Sequence, residues 1–284
     1  MRFLVSNDDG IYSPGLALLA RVADRFGEVV AVAPDVENSS ASHSISAGRP
    51  VSYRRTRIGG DVEAYRVNGT PADCVALGLF HHSDIDVVLS GVNLGTNLGN
   101  GIWHSGTMAA ARQASLLGVR GIALSTPVVS DDPDLEGLDS HVARVLDLLL
   151  ARDDLRLVNV NLPARPRGIY WARQAVEKYD GEVVPAEDPY GRPVYWLAVT
   201  QLREHKPDTD LWAFERGYIT ITPLRLDLTS HSALSTLAED RVTEFEDEPE
   251  PQVISDEEAA KESDESIRSE AWKPGETTST ISKR

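Results

Sequence analysis

The sequence predicts an α/β protein with a Rossmann-like, doubly wound, mostly parallel sheet and a C-terminal extension made of a β-hairpin and a further strand. Three observations predict it. Strand-like and helix-like segments alternate from residue 2 to about residue 162. The strand-like segments are almost wholly apolar, as in "VVAVA" at 29–33 and "GIALS" at 121–125, which suits strands covered by helices on both faces. Each cluster of polar, chemistry-bearing residues follows such a strand, the place where doubly wound sheets bind their ligands.

Taken in order, residues 2–5 form the first strand, and Pro14-Gly15 opens a helix in which Leu16, Leu19, Ala20 and Ala23 recur at helical spacing toward Phe26. Strands at 29–33 and 87–89 follow. Thr70 and Pro71 read as the cap and first residue of an intervening helix. "TMAAARQASLLG" is a helix stopped at Gly118. After the strand at 121–125 come the helical "HVARVLDLLLA" and the strand "LRLVNVNLP", halted by Pro163. Beyond it the texture changes. "GEVVPAEDPYGRPVYWLAV" reads as a hairpin turning at Asp-Pro-Tyr-Gly between Val184 and Val194; "GYITITPL" is one more strand and "SALSTLAEDRV" a last helix.

The chain has 284 residues, 41% of them hydrophobic, enough for one large core or two modest ones. Its one cysteine, Cys74, allows no intrachain disulfide and fits a reducing compartment. No apolar run reaches the roughly 20 residues of a membrane span, and Arg2 leads straight into a strand rather than a leader peptide. A soluble, cytoplasmic protein is expected. The formal net charge of -16 argues against binding duplex nucleic acid through its backbone. Residues 239–284 hold 15 acidic against 6 basic side chains, and few apolar anchors apart from Trp272. The expected organisation is therefore an α/β domain at 1–238 and an acidic, disordered tail at 239–284. Lysines are few (178, 206, 261, 273 and 283). Such a surface suits life in high salt, where self-repulsion is screened, and equally an ordinary acidic protein with an acidic tail.

Four strand-end loops carry the candidate chemistry. The first holds two adjacent carboxylates, Asp8 and Asp9, at a place that is poorly hydrated, where like charges need a cation. With neutral oxygens from Ser39 in the hydroxyl-rich 34–44 loop and Asn93 in "SGVNLGTNLGNG", they make an all-oxygen site suited to a hard divalent ion rather than to zinc. The competing reading is that one Asp caps the helix near Pro14 or forms an Asx turn with Gly10. In the fourth loop, Ser105-Gly106-Thr107 precede an Ala-rich helix, where backbone N–H groups and hydroxyls offer a phosphate pocket; Ser105 could equally be a plain cap. A metal beside a phosphate pocket points to phosphoester hydrolysis. No Walker motif is present, and His104 spoils the third glycine of a G-x-G-x-x-G reading.

Together "SNDDG", "APD" with Ser39, "NGTPADC", "SGVNLGTNLG", "HSGTMAA" and "GYITITPL" resemble the SurE family of survival-protein nucleotidases over about residues 1–230. The resemblance implies a Rossmann-type sheet whose C-terminal extension exchanges between subunits of a homodimer or homotetramer. It implies hydrolysis of nucleoside 5′- and 3′-monophosphates with one divalent ion per subunit, Mg²⁺ or Mn²⁺. It places the metal on Asp8, Asp9, Ser39 and Asn93, the phosphate on Asn97, Ser105, Gly106 and Thr107, and catalysis on Asp8 and Asp9. Where the family shows Arg, Asn and Gly around the loop serine, this chain has Val36, Glu37 and Ser40, so ligation could pass from Ser39 to Ser40. His43, Asn68 and Thr70 lie near the expected pocket, and Tyr12, Trp103 and Tyr190 are candidate base-stacking rings. The other classes left open are a nucleotide-binding module without catalysis and an interaction protein acting through its acidic tail.

Overall fold

A computed structural model describes residues 1–128, 135, 137–176, 181–199 and 205–236. The elements run β1 (Arg2–Ser6), α1 (Pro14–Ala23), β2 (Glu28–Pro34), β3 (Tyr53–Thr56), β4 (Glu63–Val67), α2 (Pro71–His81) and β5 (Val87–Leu94). A 3-10 turn at Gly99–Trp103 leads to α3 (Gly106–Leu116), β6 (Arg120–Thr126), α4 (Leu138–Leu150), β7 (Leu157–Asn161) and β8 (Gly168–Trp171). Then come β9 (Gly181–Glu187), β10 (Pro193–Val199), α5 (Asp210–Glu215), β11 (Tyr218–Leu224) and α6 (His231–Thr236). One compact unit spans Met1–Leu228, and a second begins at Thr229, of which the described residues include α6. The expected tail at 239–284 lies outside the described residues.

Nine strands form one sheet in the order β3-β4-β2-β1-β5-β6-β7-β11-β8. β4-β2-β1-β5-β6-β7 run parallel, and antiparallel pairs occur at β3–β4 and β7–β11. The switch in strand order at β1 sends the next crossovers to opposite sides, which opens a crevice at the carboxyl ends of β1, β2 and β5. Both faces are covered, as the apolar strands require. Phe3, Val5, Leu89, Leu124 and Val160 pack with α1 and α4 on one face; Leu4, Val30, Val32 and Val88 pack with α2 and α3 on the other. Gly15 lets α1 lie against β5, because a Cβ there would fall 2.0 Å from the Val92 carbonyl oxygen.

The hairpin is present, with Glu187 opposite Pro193 and Val184 opposite Trp196. β3, β4, β8 and α5 were not expected. The β3 sequence "YRRT" is short and charged, as an edge strand tends to be, and so carries no apolar signal. β5 runs to Leu94, well past the expected Leu89, because Asn93 and Leu94 resume pairing with Ser125 and Thr126 after an irregularity that begins at Ser90. That continuation carries Asn93 to the sheet edge beside β1.

Candidate active site

The turn after β1 is closed by Asn7, whose side-chain amide donates to the Gly10 carbonyl (3.0 Å) and accepts from the Gly10 N–H (3.2 Å). The cap of α1 is Ser13, which accepts from the Leu16 N–H at 3.3 Å. Neither aspartate is therefore needed for the turn or the cap, and both carboxylates are left for the crevice. Asp8 is buried and Asp9 half-buried, and among the described residues neither forms an ion pair.

Asp8 sits against the first turn of α3. A Cβ on Gly106 would fall 2.7 Å from the Asp8 Cβ, so only glycine lets the helix start close on that side chain. Thr107 Oγ1 donates to Asp8 Oδ1 in a short hydrogen bond. Burial pushes the Asp8 carboxyl above its ordinary range, opposed by the Thr107 hydroxyl and by the N–H groups of Thr107 and Gly106. Asp9 has less support: one N–H, from Leu94, reaches its Oδ2 at 3.3 Å. Burial first, and then the Asp8 charge, push Asp9 up to about 6. The repulsion inferred from the bare sequence "DD" is thus present in the fold.

The 35–44 loop is tied to the doublet through the Asn38 N–H, which donates to the Asp8 carbonyl at 2.7 Å. Ser39 is exposed and donates to Glu37 Oε1 at 2.5 Å, leaving its oxygen lone pairs open. Asn93 donates through Nδ2 to the Gly95 carbonyl at 2.6 Å, which leaves Oδ1 as its free acceptor. Among the described residues no group of three or more His, Cys, Asp or Glu side chains is set to hold a metal, so an ion at this doublet would rely on neutral oxygens. Two carboxylates with no described cation beside them, on loops that also carry the Ser39 hydroxyl and the Asn93 amide oxygen, have the donor chemistry of a hard divalent cation site.

Ser105 is buried and caps α3, accepting from the Met108 N–H at 3.0 Å, while its own proton remains to donate. The plain-cap reading and the phosphate reading therefore coexist in one residue. Asn97 is drawn elsewhere. Its Nδ2 donates to Ser125 Oγ at 2.8 Å, its N–H to Asn161 Oδ1 at 2.8 Å, and its carbonyl accepts from Asn159 and Asn161. Its amide nitrogen is engaged in holding the 94–98 loop on β6 and β7.

An open cleft of about 510 Å³ borders Asp9, lined also by Tyr12, Asp35, Val36, Glu37 and Leu94 among others. Tyr12 and Glu37 have more to do with this wall than the motifs alone suggested. The signal for Glu37 was its departure from the usual Asn. Tyr12 is anchored through its hydroxyl to Thr56 Oγ1 at 2.8 Å, a contact across 44 residues that no local pattern reveals. Of the expected pocket residues, Thr70 caps α2 and Asn68 accepts from the Ser52 N–H, both structural duties. His43 meets Gln113 at 2.8 Å.

An acidic doublet at the carboxyl edge of a parallel sheet, pressed against a helix N-terminus that offers Ser, Gly and Thr, defines the class: a doubly wound α/β protein with its polar site at the strand ends. The chain belongs to the survival protein SurE family, whose model matches residues 3–181. It is 44% identical over 248 residues to 5′-nucleotidase SurE 1 of Thermus thermophilus, spanning 84% of this chain and 97% of that one. It is 38% identical to 5′-nucleotidase SurE of Deinococcus radiodurans, with 84% and 92% covered. The crystal structure of the SurE protein from Aquifex aeolicus superposes with a TM-score of 0.72 at 34% identity, covering 85% of this chain and all of that one.

Proposed function

We infer that the protein is a metal-dependent 5′-nucleotidase, hydrolysing nucleoside 5′-monophosphates, and 3′-monophosphates as well, to nucleoside and phosphate. The observation that carries this reading is the pair of buried Asp8 and half-buried Asp9, uncompensated by any described cation, with Gly106 and Thr107 closed upon Asp8. Its relatives' names fit it. We assign the metal, one Mg²⁺ or Mn²⁺ per subunit, to Asp8, Asp9, Ser39 and Asn93. When bound, such an ion polarises a phosphoryl oxygen and lowers the pKa of a water molecule.

The rest of the chemistry falls to the chain. Ser105, whose hydroxyl proton remains to donate at the positive end of α3, receives a phosphoryl oxygen and offsets the charge that grows on it, while Thr107 and the N–H groups of Gly106 and Thr107 hold Asp8 beside it. Asn97, with its Nδ2 held by Ser125, supports that wall through the loop it fixes rather than by reaching the phosphate. Attack by water in line with the ester bond leaves the nucleoside oxygen to take up a proton. Asp8 Oδ1 is engaged by Thr107, so Asp9 is the carboxylate freer to move a proton.

Beyond the site, the β9–β10 hairpin exposes Tyr195, Trp196 and Leu197, which suits a segment exchanged with a second copy in a homodimer or homotetramer. The acidic 239–284 segment is proposed as a separate, non-catalytic extension of the 1–238 domain. No helix among the described residues is long and apolar enough to cross a membrane. The cytoplasm is the proposed location. Phosphate release from a nucleotide panel with Mg²⁺, with Mn²⁺ and with a chelator tests the reading: release with a metal and none with the chelator is expected, and metal-independent release would refute it.

A further inference from the structure

Residues 49–66 carry five arginines (49, 54, 55, 57 and 66) against two acids, in a chain whose net charge is -16. Within that stretch Arg54 of β3 lies directly opposite Arg66 of β4. Like charges paired across strands are destabilising unless something lies between them. Among the described residues nothing does so, and neither guanidinium has an ion-pair or hydrogen-bond partner there. The nearest acid on β4, Glu63, stands on the other face of the strand and accepts from Tyr65 instead.

The register also fixes where the pair sits. Cross-strand partners share a face, so Arg54 and Arg66 share one with each other and with Ala33 of β2, the face packed by α1. The next row on that face, Thr56 with Ala64, holds the Tyr12 hydroxyl. The arginine row is one step nearer the carboxyl edge than the row that anchors the Tyr12 hydroxyl, and Tyr12 also lines the cleft. The cleft itself is acidic, through Asp9, Asp35 and Glu37. A phosphate at the doublet and an anion at the arginines are therefore separate sites, and Tyr12 reaches from the cleft that holds Asp9 to the β3 strand that carries Arg54.

We propose that Arg54 and Arg66 form a second anion subsite, which binds the distal phosphate of a nucleotide that carries two, a nucleoside 3′,5′-bisphosphate. The proposal rests on the nucleotidase reading for the first phosphate. The 5′-phosphate is hydrolysed at the doublet: the water oxygen replaces the ester oxygen on phosphorus, the nucleoside oxygen takes a proton, and the 3′-phosphate is unchanged. Tyr12 offers its face to the nucleoside between the two.

The test compares the full chain with its Arg54→Ala/Arg66→Ala variant; Arg54 is exposed and Arg66 half-buried. Binding of 5′-methylenephosphonate analogues of the mono- and bisphosphate, which cannot be hydrolysed, is titrated with Mn²⁺ present, and kcat/KM is measured on the true substrates. The unsubstituted protein should bind the bisphosphate about tenfold more tightly or better. The double variant should lose that advantage and keep its monophosphate affinity and turnover within about twofold. Equal affinity for the two ligands in the unsubstituted protein would overturn the subsite, as would a variant that weakens both alike. Bisphosphate preference without phosphate release from either substrate would leave the subsite standing and sink the nucleotidase reading instead.

Discussion

Among the described residues, Asp210 and the Asp8–Asp9 doublet are two carboxylate sites drawn into the fold, and they are built in opposite ways. Asp210, fully buried, accepts three backbone N–H groups: Gly99 on Oδ2, Ala175 and Leu211 on Oδ1, each at 2.9 Å. It pins the 3-10 turn, the segment after β8 and the start of α5 together. Burial still raises its pKa, but the N–H bonds oppose that and no carboxylate adds to it. Asp9 has one long N–H bond and a like charge beside it. A carboxylate whose oxygens are filled by the chain serves the fold. One left underfilled next to another leaves room for a ligand, and the difference can be tested.

The largest contrast should appear in Asp9→Asn. Metal-dependent phosphate release should fall about a hundredfold or more, because the ion loses a charged ligand, while the variant stays folded and the metal-free protein gains thermal stability from the lost repulsion. Asp210→Ala should do the reverse. Three buried N–H groups left unpaired should lower stability by about 3 kcal/mol in chemical denaturation, with turnover per folded molecule little changed. If Asp210→Ala spared stability and abolished turnover, the distinction between the two sites would be lost.

The pH dependence sharpens the same contrast. Asp9 binds its proton more tightly in the folded chain, at about 6, than in the unfolded one, near 4. Protonation therefore favours the fold fully below pH of about 4, and that contribution is lost as pH rises through about 6. Metal-free protein should show a melting temperature that declines over this window, and Mn²⁺ should restore it above pH 6 and do little at pH 4, where the ligand is protonated. A smaller effect is expected from Ser105→Ala: loss of the α3 cap should cost about 1 kcal/mol, with a moderate rise in KM for the nucleotide.

What the sequence made legible follows from the range of the forces involved. The parallel strands were readable because an apolar strand buried on both faces needs no partner to be recognised. The charge conflict at the doublet was readable because Asp8 and Asp9 are neighbours in the chain, and burial with the Asp8 charge does raise Asp9. Asp210 was invisible: its role depends on N–H groups 111 and 35 residues away, and nothing near it in the chain sets it apart. β3 and β4 were missed for a related reason. Their arginines and tyrosines have meaning only once the strands are paired. The Tyr12–Thr56 contact and the Asn97 network are long-range as well, and so the walls of the cleft emerged only from the fold.

The central claim is that a hard divalent ion neutralises Asp8 and Asp9 beside the start of α3. Calorimetric titration of Mn²⁺ into the metal-free protein at pH 7.5, repeated with Asp8→Asn and Asp9→Asn, tests it most directly. One ion per chain in the unsubstituted protein, and binding lost in both variants, is the predicted result. Undiminished binding in either variant would contradict it.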